Sequence, residues 1–279
     1  MYDGTTPTKF GRYHVADPFR PELLHLHRGE KLKPVQWEIP LPVLDQEDLL
    51  AQGIDTSALV PGAQKVDALG SCTCNAGTVS LAERYATTHG LTALGTAKFG
   101  GITLSNTDAV ADEKFAISLY HAVTDQTGDP SQEWPPTDCG STGLYVCQEL
   151  QKRKLIGSYK TATGAANAAS LLQSGTVIFG TPFFNSWMEP DGHGFIDGDG
   201  SWDALQTSIA SGVAGGHEMC SFGLEAVAYT KIGTLDLDNT VALIRNSWSG
   251  SWGDAGSCRI HLSTLNWLSG SIDYKQFVV

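Results

Sequence analysis

The chain is poor in what several functional classes require. Its 279 residues include only 18 lysines and arginines against 30 aspartates and glutamates, a formal net charge of −12 at pH 7. The basic residues are scattered, so no stripe exists to neutralise a phosphate backbone, and nucleic acid is not expected as a partner. No apolar run approaches the roughly 20 residues that cross a bilayer. The opening MYDGTTPTKFGRYHVADPFRPE lacks the charged-then-apolar profile of a signal peptide. The expectation is a soluble protein with no membrane partner and no signal peptide. It is expected to be cytoplasmic at synthesis and to stay where it is made unless lysis or a non-standard route releases it.

Cysteine is also sparse, with six residues at Cys72, Cys74, Cys139, Cys147, Cys220 and Cys258. With no export signal, a disulfide framework is the weaker reading and free thiols are expected. Cys139 and Cys147 would lie over two turns apart on a helix, too far to bridge. Internal repeats and low-complexity tracts are missing from the sequence. What is present is ordinary globular material: 41% hydrophobic residues, 17% charged and 31 glycines. That is enough to bury a sizeable interior as one large domain or two lobes sharing a core.

Residues 1–65 hold most of the prolines and little periodicity, and read as an extended arm or a propeptide-like segment. From Cys72 to His89 the positions Ala76, Val79, Ala82 and Tyr85 follow helical spacing, and Gly90 suits the position past a helix end. STGLYVCQELQKRK predicts a second helix capped by Ser141 or Thr142, and ATGAANAASLLQSG a third. After residue 176 the pattern turns to strands in TVIFGTPFF, FGLEAVAYTKI, TVALIRNSW, SCRIHLS and DYKQFVV. Helices first and antiparallel-type strands second imply an α+β fold of two lobes.

Three separated stretches bear on chemistry: LGSCTCNAG, VAGGHEMCSFGLEAVAY and VALIRNSWSGSWGDAGSCRI. A cysteine nucleophile needs its thiolate at neutral pH. A helix N-terminus and a nearby imidazolium both lower a thiol pKa from about 8.5, and Cys72 sits at a predicted helix start. His217 follows two glycines at the head of a strand run, where it can project into a cleft. A base so placed must be held in one tautomer, and an asparagine carbonyl accepting its ring N–H can do that. Asn246 ends a strand run, with Trp248 close enough to shield the pair. The spacings are 145 residues from 72 to 217 and 29 from 217 to 246.

In GSC at 70–72, GGH at 215–217 and NSWSGSWGDAGSCRI at 246–260, the sequence resembles the papain family of cysteine peptidases. It resembles more closely the papain-like peptidases of actinobacteria and their phages. Cys258 stands where the family run has tyrosine. DCGSTGLYVCQELQKRKLIGSY and FFNSWMEPDGHGFI add weaker likeness, and together the stretches cover most of residues 68–279. The resemblance implies a papain-like two-lobe fold: residues 66–279 as the catalytic domain, with a helical lobe at about 66–170 and a barrel-like β lobe at about 171–279. It implies Cys72 as nucleophile, His217 as general base and acid, Asn246 as the orienter of His217, and Trp248 as cover for that pair. Gly140, Ser141 and Gly216 would then line the substrate cleft.

One departure concerns the oxyanion donor, which the family takes from a glutamine six residues before the cysteine. Val66 occupies that position. Gln64 lies two residues too early, and Gln46 in PVLDQ matches the family's lead-in but is separated from Cys72 by an insertion. Losing one such donor costs about 10²–10³ in rate.

The remaining candidates have plainer readings. Cys74, rotated about 200° from Cys72 along a helix, should face away from it. A C-x-C metal clip lacks further ligands nearby, so no metal and no cofactor are expected. Cys220 reads as a core thiol, His89 as a solvated helix end, and the His25 and His27 pair as part of a surface strand. DGDGSWD at 197–203 alternates oxygen ligands but breaks the EF-hand template, and reads as an acidic surface turn. His14, His121, His193 and His261 have no motif context.

The leading expectation is a cysteine peptidase acting on protein or peptide substrates. Two alternatives remain: a papain-fold binding or virion structural protein with little turnover, and an amidase or acyltransferase acting on cell-wall peptides.

Overall fold

The computed structural model describes residues 10, 12, 31–105, 107–124 and 129–279. His14, His25 and His27 lie outside the described residues. The first half carries β1 (Val35–Gln36), α1 (Thr56–Leu59), α2 (Cys72–His89), α3 (Leu91–Leu94), α4 (Ala109–Thr124) and α5 (Gly143–Lys152). Next come β2 (Ser158–Ala162), α6 (Ala165–Leu172), β3 (Val177–Phe184), α7 (Trp202–Ala210) and β4 (Val213–Tyr229). The chain closes with β5 (Leu235–Arg245), β6 (Ser257–His261), α8 (Leu262–Trp267) and β7 (Asp273–Val278). The strands form one antiparallel sheet in the order β2-β7-β3-β4-β5-β6, with β1 pairing β4 as well.

Two apolar cores result. One is helical, built by α2, α4 and α5 with Leu81, Phe115, Leu119, Val146 and Leu150 among its members. The other lies on the sheet, around Phe179, Phe183, Trp187, Ile244, Ile260 and Tyr274. Helix α2 runs between them, in contact with α4 and α5 on one side and with β3, β4 and β7 on the other. Every residue from Cys72 to Glu83 is therefore buried, which a surface helix with one apolar stripe would not be.

Its small polar residues satisfy themselves locally or across the interface. The Thr78 hydroxyl donates to the Cys74 carbonyl at 2.7 Å, and Ser80 Oγ meets Thr176 Oγ1 at 2.9 Å. Glu83 accepts from the Thr176 amide at 3.1 Å and its hydroxyl at 2.8 Å. The helix ends at Gly90, whose φ of 92° suits glycine and whose N–H returns to Ala86 O.

Several expectations need correction. Residues 31–65 are not an arm over the body: Leu41, Leu44, Leu49, Ile54 and Val60 belong to the helical core, and β1 belongs to the sheet. Five scattered apolar residues without period anchor the segment, many of whose polar positions stay exposed. The sheet lobe also begins before residue 171, since β2 pairs with β7 and α6 joins the sheet's core. Helix α4 went unforeseen because it buries Asp112 and Glu113, which break its apolar pattern. The 197–203 stretch is a turn exposed at Gly198, Asp199, Trp202 and Asp203, as expected, but its first acid is not on the surface. Asp197 is 2% exposed, accepting from His261 N at 2.9 Å and Thr264 Oγ1 at 2.7 Å, and Ser201 caps α7 through Ala204 N.

Helix α2 lies close against α5 at Gly77, where an added Cβ would sit 2.6 Å from Val146 Cγ1. Val146 is β-branched and fully buried, so it cannot swing aside. We expect Gly77→Val to lower stability by about 1–3 kcal/mol in urea denaturation, overpacking outweighing any gain in helix propensity.

Candidate active site

Cys72 is the first residue of α2, fully buried, with Ser71 at the cap position. The loop before it is held from several sides. Gly70 N donates to the Asp138 carboxylate at 2.9 Å, and the Tyr120 hydroxyl donates to the same group at 2.7 Å while accepting from Gly140 N at 2.7 Å. The Ser71 hydroxyl donates to Asn75 Oδ1 at 2.9 Å, and Asn75 Nδ2 donates to both oxygens of Glu113 at 2.8 Å. Glu113 also accepts from Asp45 N at 3.2 Å.

His217 lies in β4, opposite Thr181 of β3, on a strand packed against α2. Its Nε2 is 2.7 Å from Asn246 Oδ1, the geometry of a ring N–H donating to the amide oxygen. Asn246 follows the end of β5, and its Oδ1 also accepts from Ser247 N at 2.8 Å. Trp248 stacks on the imidazole with centroids 4.6 Å apart and planes at 26°. Phe183 and Phe10 meet its ring edge-on at 5.3 and 5.8 Å. The His217–Asn246 pair is thus enclosed in aromatic surface, where a hydrogen bond is stronger than in water.

Gln46 joins the two halves. Its backbone accepts from Leu69 N at 3.1 Å and donates to Ser247 O at 3.1 Å. Its side-chain Nε2 donates to Leu69 O at 2.9 Å, and its Oε1 accepts from the Ser247 hydroxyl at 2.6 Å. Residues 47–68 form an excursion that leaves at Gln46 and returns at Leu69, closed further by Leu49 N donating to Asp67 O at 2.8 Å. Gln46 therefore adjoins the loop leading into Cys72 despite its distance in sequence. Gln64 is out on that excursion, exposed, with its carbonyl accepting from Thr56 Oγ1. Val66 packs against the helical core.

Of the expected cleft residues, Ser141 and Gly216 lie on either side of Arg12: Arg12 N donates to Gly216 O at 3.0 Å, and its backbone bridges Ser141 in parallel. Gly140 precedes Ser141 and is held by its N–H to the Tyr120 hydroxyl. The other thiols are of a different kind. None of the six cysteines is in a disulfide, and Cys74 lies in the helical core. Burial pushes the thiols of Cys74, Cys220 and Cys258 well up, and that of Cys139 to about 11. No group of three or more metal-ligating side chains is assembled among the described residues.

Sequence reading missed four charged residues here: Arg12, Glu113, Asp138 and Glu218. A carboxyl in an otherwise apolar strand or helix, such as Glu218 directly after His217, was the available signal. Burial, with Asp273 nearby, raises the Glu218 carboxyl well above the usual range, while Arg12 and Lys275 pull it back.

No family model matches the sequence, and no curated protein does. Among solved structures the chain is similar to xylellain, a cysteine protease from Xylella fastidiosa. The identity is 16% and the TM-score 0.51, over 98% of this chain and 96% of that one. The chain has a papain-like two-lobe fold. Weaker likenesses are to the bromelain protease from Ananas comosus in complex with the E64 inhibitor, and to digestive procathepsin L 3 of the Tenebrio molitor larval midgut. The first is 12% identical with a TM-score of 0.39, covering 88% of this chain and 98% of that one. The second is 12% identical with a TM-score of 0.43, covering 90% and 72%. None of the three is from an actinobacterium or a phage, so the narrower likeness gains no support from them. Among the described residues of this papain-like chain, no helix is long and apolar enough to cross a membrane.

The support beneath Cys72 has a titratable member. Burial pushes the Glu113 carboxyl up to about 7, against the lowering effect of Asn75 and the Asp45 amide. Between about pH 4.5 and 7 the native chain keeps a proton that the unfolded chain has released, so stability falls as pH rises through that window. Glu113→Gln retains an acceptor for Asn75 but cannot titrate. The fall in unfolding free energy from pH 4.5 to 7.5, measured in urea, should be smaller in the variant by up to about 3 kcal/mol.

Proposed function

We propose that the protein is a cysteine peptidase. Cys72 is the nucleophile, His217 the general base and acid, and Asn246 the group that fixes the tautomer and orientation of His217. The observation that carries this reading is the 2.7 Å bond from His217 Nε2 to Asn246 Oδ1 beneath Trp248, on a strand packed against the helix that Cys72 begins. With Nε2 donating, Nδ1 is the nitrogen left to take the thiol proton. The Cys72 thiolate adds to a peptide carbonyl, the imidazolium passes its proton to the leaving amine, and water activated by His217 hydrolyses the thioester.

For the oxyanion we assign the backbone N–H of Cys72 together with the Gln46 carboxamide, in place of Gln64 or a residue at position 66. The bonds from Gln46 to Leu69 and Ser247 support this choice, because a donor must be held still where charge develops. The alternatives of an inert papain-fold binding or virion protein, and of a cell-wall peptide amidase, make no use of the His217–Asn246 pair or share it without distinction. The tie to actinobacterial and phage peptidases rests on the motif stretches alone.

Phe10 packs on His217 and Arg12 bonds to Gly216, so a peptide that binds beside His217 has to displace these two residues. Peptide hydrolysis is therefore to be followed in the intact chain and in a Phe10→Ala, Arg12→Ala variant. Cys72→Ala should abolish turnover in both, and cleavage that survives it refutes the assignment. In the same assay Gln46→Ala should lower kcat by about 10²–10³, while Gln64→Ala leaves it unchanged. The reverse pattern would return the oxyanion role to Gln64.

A further inference from the structure

Beside His217 the groove has an acidic pit formed by β3, β4 and β7. Glu218 is 1% exposed, its carboxyl set against the Gly143 backbone at the start of α5, and Asp273 Oδ2 has no hydrogen-bond partner among the described residues. Two cations act on Glu218: Lys275, whose Nζ donates to Thr161 Oγ1 at 3.0 Å, and Arg12. The negative charge left for Arg12 to match is the Asp273 carboxylate.

Arg12 matches it. Its side chain is 5% exposed, Nη2 pairs with Asp273 Oδ1, and Nη1 donates to Ser271 O at 3.0 Å. Its backbone lies across the groove between Ser141 and Gly216, as an extended peptide would. Glycine at 180 leaves the space for its guanidinium, and glycine at 216 the space for its carbonyl. A Cβ at either would overlap Arg12.

We propose that this pit is a recognition pocket for a basic side chain of a peptide substrate, arginine before lysine, with Glu218 and Asp273 as its specificity-determining residues. Arg12 is then an internal stand-in for the substrate's arginine. Arginine is favoured because two different guanidinium nitrogens are engaged, by a carboxylate and by a backbone carbonyl. A planar fork meets both acceptors at once, and an ammonium point charge does not. The other flank of the site is also acidic on balance: beyond Trp248 a groove of about 900 Å³ is bordered by Glu47, Glu189, Asp191 and Asp254 against Arg259, which pairs with Asp254. Buried charge selects strongly, since a neutral side chain in the pit would leave the Asp273 carboxylate uncompensated. The proposal rests on the peptidase reading for its substrate, but its test does not require turnover.

The test uses a Cys72→Ala, Arg12→Gln chain titrated with fluorescent hexapeptides that carry arginine at each position in turn, each paired with its citrulline counterpart. Citrulline keeps the shape and removes the charge. At one position arginine should bind about tenfold tighter or more, and Asp273→Asn or Glu218→Gln should bring the ratio toward one. Equal binding of both series, no binding of either, or a preference that persists in Asp273→Asn overturns the proposal. A second measurement does not depend on Arg12→Gln folding. In the Cys72→Ala chain with Arg12 intact, the arginine peptide should still outbind its citrulline pair, both more weakly because Arg12 competes. Hydrolysis by the Cys72 chain is scored separately. Arginine-selective binding without cleavage removes the peptidase reading and keeps the pocket, whereas cleavage without selectivity does the opposite.

Discussion

Gln46 is the constraint on which the site depends. Its carboxamide donates to Leu69 O and accepts from Ser247 Oγ, joining the loop that leads into Cys72 to the turn that carries Asn246. These two segments belong to different lobes and different cores, and packing alone would fix their relative position only loosely. A fully buried amide with partners on both sides defines it to within a hydrogen-bond length. Asp138 and Tyr120 add a second tie, from Gly70 to Gly140, and Glu113 a third, through Asn75 to Ser71. The loop before Cys72 is therefore held chiefly by buried polar groups. Such a site is geometrically precise, but each tie is costly to break because its partners are left buried and unsatisfied.

The same economy of glycine and charge shapes the groove. Gly180 and Gly216 remove side chains where an extended segment must lie close, and Glu218 and Asp273 place negative charge under it. The formal net charge over the whole chain is −12. At the level of the groove it becomes a local field that favours cationic peptides on both flanks of His217.

Much of this was legible in the sequence. Helix α2 begins at Cys72 and stops before Gly90, as its spacing and its glycine predict, and the late strands fall where alternating apolar runs place them. The His217 and Asn246 pair was marked by glycines before one residue and tryptophan after the other. The missing parts are those in which long-range packing overrides local pattern. Residues 41–60 have no period, yet they enter the helical core. Helix α4 buries two acids, and Asp197 is buried by partners more than 60 residues away. Gln46 was visible as a candidate, but nothing local to it says that the excursion of residues 47–68 closes on itself.

The central claim is that Cys72 is an activated thiol paired with His217, and the ultraviolet absorbance of thiolate measures this without any substrate. Burial keeps Cys74, Cys139, Cys220 and Cys258 protonated at neutral pH. Thiolate absorbance at pH 7 in the intact chain that disappears in Cys72→Ala, and disappears again in His217→Ala, is the predicted result. A chain with no thiolate at pH 7 that Cys72→Ala removes, or one whose Cys72 thiolate is indifferent to His217→Ala, would contradict it.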